Sequence, residues 1–89
     1  MATIIKTTGE LENTEPANNN IFTLIELQNA VNGFFIIVPI DTGEYSDKFM
    51  IVDEDGLIKS NPIANTKASK IAGQPIVGQV MIIDREQIE

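Results

Sequence analysis

The sequence has no cysteine and no histidine. Without cysteine there is no disulfide framework and no thiol chemistry, which excludes a disulfide-stapled secreted miniprotein. Without histidine the chain lacks both the commonest general base and the commonest metal ligand. Basic residues are scarce: six Lys and Arg stand against thirteen Asp and Glu, for a net charge of −7 and a pI near 4.3. That balance opposes binding to a phosphate backbone by general electrostatics, so direct nucleic-acid binding is not expected. Long hydrophobic runs are also missing. The longest, "FFIIVPI", has seven residues, whereas a membrane span needs about 20. The amino-terminal "MATIIKTTGE" holds no extended apolar targeting segment. A cytoplasmic protein without membrane association is expected.

What is present is ordinary globular composition, 43% apolar and 21% charged over 89 residues. One domain spanning 1–89 is expected, burying roughly 60–65% of the surface its unfolded chain exposes. The charge is unevenly placed. Residues 1–58 carry ten acids against Lys6 and Lys48, whereas residues 59–83 carry Lys59, Lys67 and Lys70 and no acid. The end of the chain, about 85–89, reads as a flexible acidic tail.

The order of elements follows from local patterning. "ATIIKTTGELENTEP" gives a β-branched strand at about 2–7, a turn at Thr8-Gly9-Glu10 and a weaker strand near 10–15 ended by Pro16. In "TLIELQNAVNG", Thr23 and Glu26 have capping-box spacing, and Leu24, Leu27 and Val31 form one apolar stripe. Asn32-Gly33 supplies a left-handed stop. "FFIIVPI" then reads as a strand that is central or covered on both faces. "KFMIVDEDGLIKS" reads as two strands turning at Asp53–Gly56, whose acidic residues are explained by the turn itself. Asn65 caps a short helix over Thr66–Ala72, Gly73 stops it, and Ala68 and Ile71 face the core. "QPIVGQVMIID" is a final strand whose glycine marks a bulge or close packing. The order ββαβββαβ predicts an α+β fold, with two short helices on a small, mainly antiparallel sheet.

Three segments together, "LIELQNAVNGFFIIVPI", "MIVDEDGLIKSNPIANTKASKIAG" and "IVGQVMII", resemble the bacterial and phage domain of unknown function 3846. The matching positions are Leu27, Gln28, Val31, Gly33, Asp53, Glu54, Gly56, Pro62, Asn65, Ala68, Ser69, Gly78 and Val80, covering roughly residues 20–83. Asn32 departs from a Gly-Gly pair, and Gln79 stands where an acid is usual before the last strand. The resemblance implies no chemistry. It implies a context of phages and mobile elements, often near anti-restriction functions.

Catalysis is not expected. The serines and threonines have no histidine to activate them, and the adjacent Ser69 and Lys70 point about 100° apart on a helix. No cofactor is called for. A calcium loop begun at Asp53 would place Ala64 where a glutamate ligand is required, so no metal site is assigned. The four phenylalanines are explained as core. The least ordinary stretch is Asn61–Gly78, which has no acid in an acidic chain. A helix start at Asn65 with free N–H groups, joined by Lys59, Lys67 and Lys70, offers a place for an anion. The candidate ligand-binding residues are therefore Asn65, Thr66, Lys67, Ser69, Lys70 and Lys59. A local reading competes, in which Asn65 caps its own helix and the lysines are solvated.

The function expected first is that of a non-enzymatic phage or mobile-element protein acting through protein partners, with a host defence or metabolic protein as target. The alternatives are a binder of an anionic small ligand, such as a signalling nucleotide, and an assembly role. In the last, the strand "TIIKTT" would pair with a second copy to give a dimer.

Overall fold

A computed structural model describes residues 2–15, 21–31, 33–41, 43–54 and 63–88. The fold is α+β, as the element order implies. β1 (Ala2–Ile5), β2 (Leu11–Thr14), β3 (Phe35–Pro39), β4 (Lys48–Asp53) and β5 (Val80–Asp84) form one sheet, with α1 (Leu24–Val31) and α2 (Thr66–Ala72) packed on it. Every strand pair is antiparallel and the spatial order is β2-β1-β5-β4-β3. The strand expected after a turn at Asp53–Gly56 falls mostly on residues 55–62, outside the described residues. No helix among the described residues is long and apolar enough to cross a membrane.

The helices lie on opposite faces. Side chains alternate along a strand, so even and odd positions feed different cores. Ile51, Met81 and Ile83 pack with Leu27, Ala30 and Val31 of α1, while Met50, Val52, Val80 and Ile82 pack with Ala68 of α2. β4 and especially β5 are thus covered on both sides.

Several expectations need correction. "FFIIVPI" is not central: among the described strands β3 lies at the edge, and β5 holds the middle place. β1 is interior, paired with β2 on one side and β5 on the other, so it offers no edge to a second copy. It also stops at Ile5, because Lys6 N and Gly9 N close a turn onto Glu10 O and Lys6 O, with Gly9 at φ +95. In α1 the capping box forms with both reciprocal bonds: Thr23 N to Glu26 Oε1 at 3.0 Å and Glu26 N to Thr23 Oγ1 at 3.2 Å. Leu24 nevertheless lies exposed, and Ala30 joins Leu27 and Val31 on the buried side. The helix meets the sheet through its carboxy-terminal half, where Gln79 Nε2 donates to Ala30 O at 2.8 Å. β5 starts at Val80 rather than at Gln74, because Gly78 adopts φ +79 and Val77 makes only an isolated bridge to Ala64.

The carboxy-terminal segment is also more built than a loose tail. Arg85–Gln87 form a 3₁₀ turn in which Asp84 N donates to Gln87 Oε1 at 3.1 Å. Gln87 is buried, its carbonyl accepts from Phe22 N at 2.7 Å, and Ile88 bridges Phe22 in parallel. Burying Ile88 and Phe22 together favours this folded-back course over an extended one.

Candidate functional site

The first candidate is the stretch the charge pattern singled out. Asn65 caps α2, accepting at Oδ1 from Ala68 N at 3.1 Å. Its amide does more. Nδ2 donates to Ile5 O at 3.0 Å and to Gly78 O at 2.9 Å, tying β1 and the lead-in to β5 onto the helix start. The residue is 0% exposed. Ser69 is similarly engaged: its hydroxyl lies 2.8 Å from Asn65 O, as donor, and accepts from Ile76 N at 2.8 Å. Gly73 at φ 73 closes the helix, donating to Ser69 O at 2.9 Å. Asn65 and Ser69 thus spend their polar groups inside the fold, and one of the free N–H groups at the helix start, that of Ala68, is already used.

The other candidates divide. Lys59 lies outside the described residues. Thr66, Lys67 and Lys70 are exposed on α2. Lys67, Lys70 and Ile71 line two adjoining clefts of about 410 and 400 Å³. One is completed by Leu11, Gly43, Glu44 and Tyr45, the other by Thr7, Thr8, Gly9 and Thr66. The structure therefore brings Thr66, Lys67 and Lys70 together. Glu44 also lines the first of these clefts, and an acid there lowers the attraction for an anion.

The second candidate is the side of β3 that none of the other described strands covers. Glu54 N donates to Phe34 O at 2.9 Å and Ile40 N donates to Lys48 O at 3.0 Å. Antiparallel ladders alternate, so positions 34, 36, 38 and 40 turn their peptide groups toward β4. Positions 35, 37 and 39 turn theirs away from the sheet. At 39 the residue is proline, which has no N–H to leave unpaired. Side chains on both sides of this edge are open: Ile36 is 46% and Ile37 41% exposed, and Phe34 just before the strand is 67% exposed. The opposite edge, β2, is short and polar, with Lys6 Nζ held 3.2 Å from Glu12 Oε2.

Sequence reasoning missed this edge because it read the apolar run as a sign of burial. The signal that marks it is Pro39, since proline is tolerated in a sheet only where no inward N–H is needed.

No family model, curated protein or solved structure matches the chain.

Proposed function

We propose that this chain is a non-enzymatic binding protein that acts through protein contacts. The observation that carries this reading is the β3 edge, with outward peptide groups at Phe35 and Ile37 and apolar side chains exposed on both faces. Soluble proteins ordinarily blunt such an edge with charge or cover it with another segment. Here only Pro39 does so within the strand. The resemblance to the domain of unknown function 3846 supports a phage or mobile-element context, and with it a host defence or metabolic protein as target in the host cytoplasm. The test is a photoreactive amino acid at position 37 or, as control, at position 12 on β2. A discrete cross-linked host protein from position 37 alone is expected. No adduct, or equal adducts from both edges, rejects the reading.

A second reading has its own observation: Lys67 and Lys70 stand at both α2 clefts. An anionic small ligand, such as a cyclic nucleotide, would rest there against Thr66 and the two ammonium groups. Its binding raises the melting temperature of the wild type and leaves Lys67→Ala unmoved. A flat screen of cyclic di- and oligonucleotides rejects it.

A further inference from the structure

The charges around β3 narrow what its edge accepts. Residues 34–40 carry no charge. Beyond the carboxy-terminal end of the strand lie Asp41 and Glu44, and at the other end lies Glu54, all exposed. Among the described residues, Lys48 is paired with Asp84 on β5, on the far side of β4 from this edge. Arg85 is occupied as well, donating from Nε to Asp47 O at 2.9 Å and lying over the Phe49 ring at 4.9 Å. The edge is thus an apolar strip with an acidic group at each end.

From this we infer that β3 is extended by a strand of another protein, apolar at its centre and basic at its ends. This deepens the protein-binding reading above and rests on it. The peptide groups of Phe35 and Ile37 supply two N–H donors and two acceptors, and Pro39 one acceptor, which a strand laid alongside satisfies. Alternate side chains of that strand cover Ile37 on the α1 side and Ile36 on the α2 side. Lysine or arginine at its ends meets Glu54 and the Asp41–Glu44 turn, giving register and speed of association. A second copy is a poor occupant. Pairing β3 antiparallel with itself sets Asp41 and Glu44 of each copy against Glu54 of the other, in a chain already at −7.

The test uses the full chain and three fluorescent peptides that share one alternating valine–threonine core. One is flanked by lysines, one by glutamates, and the third keeps the lysines but is N-methylated at alternate amides. Fluorescence anisotropy should show the lysine-flanked peptide binding at least about tenfold tighter than either of the others, and weakening as salt is raised. Ile37→Pro removes the outward N–H while sparing the bonds of 36 and 38 to β4, and should weaken that peptide about tenfold. Ile37→Lys, at a half-open position, repeats the test with a charge and keeps it valid if the proline variant unfolds.

Equal binding of the glutamate-flanked or the N-methylated peptide overturns the inference, as does binding indifferent to both variants. So does a dimer by light scattering that Ile37→Pro converts to monomer, which would hand the edge to a second copy. Failure of all three peptides also overturns the inference. In that case a partner still cross-linked at position 37 shows that the broader protein-binding reading survives.

Discussion

β5 (VMIID) and β3 (FIIVP) are both five-residue apolar strands, yet one lies at the centre of the sheet and the other at its edge. In β5, Val80, Met81, Ile82 and Ile83 are all buried, because α1 covers one face and α2 the other. In β3, only Phe35 and Val38 reach those cores, and only partly. The difference lies in the neighbours and not in the strands. β5 is flanked by β1 and β4, while β3 has β4 on one side and none of the other described strands on the second. Apolar character in β5 stabilises the fold. In β3 the same character is available for contact with something else.

The sharpest way to break this comparison is to truncate the same residue type in both strands. Ile82→Ala should cost about 2–5 kcal/mol, since it empties a filled site against Met50 and Ala68. Ile37→Ala should cost under about 1 kcal/mol, because much of its side chain already meets water. Equilibrium urea unfolding measures both. Equal losses would show that β3 is covered in solution. Asn65 comes next, because it fixes the approach to β5. Asn65→Asp keeps the acceptor that caps Ala68 N but loses both donors, leaving Ile5 O and Gly78 O without their partner. A loss of about 2–4 kcal/mol follows, seen as a melting temperature lower by roughly 10 °C or more. A loss no larger than that of an exposed cap, about 1 kcal/mol, would reduce Asn65 to a capping role.

How much of this was legible in the sequence depends on the range of the interactions involved. The capping box of Thr23 and Glu26, the Asn65 cap and the Gly73 stop are settled within four residues, and spacing alone gives them. The α+β class follows from the alternation of elements. Strand order does not, since it depends on pairings such as Thr3 with Ile82, far apart in the chain. The second role of Asn65 is hidden for the same reason: its partner Ile5 is 60 positions away. The candidate site was legible only in part. Lys67 and Lys70 were marked by charge, and the structure does place them at one pair of clefts. The β3 edge was read as interior because an apolar run carries no record of how many strands flank it. Pro39 alone carried that information.

The smallest expected effect concerns how the edge strand is held. The β3–β4 hairpin closes through a bulge: Ile40 N donates to Lys48 O at 3.0 Å, while Ile40 O accepts from Asp47 N at 3.0 Å, so two residues oppose one. Asp47 sits there at φ 69, the sole described non-glycine residue with positive φ. Aspartate tolerates this region better than most side chains, and a β-branched residue tolerates it worst. Asp47→Gly should therefore change stability by no more than about 0.5 kcal/mol, its relief of strain offset by greater freedom in the unfolded chain. Asp47→Val should cost about 1–2 kcal/mol. Because the cost falls at the hinge of an edge hairpin, it should appear locally. Hydrogen exchange of the inward amides of Ile36 and Val38 should speed up, while that of Met81 and Ile82 in β5 stays unchanged. A uniform loss across both strands would mean that the edge and the centre open as one unit, and that β3 is not separately free to take up a partner.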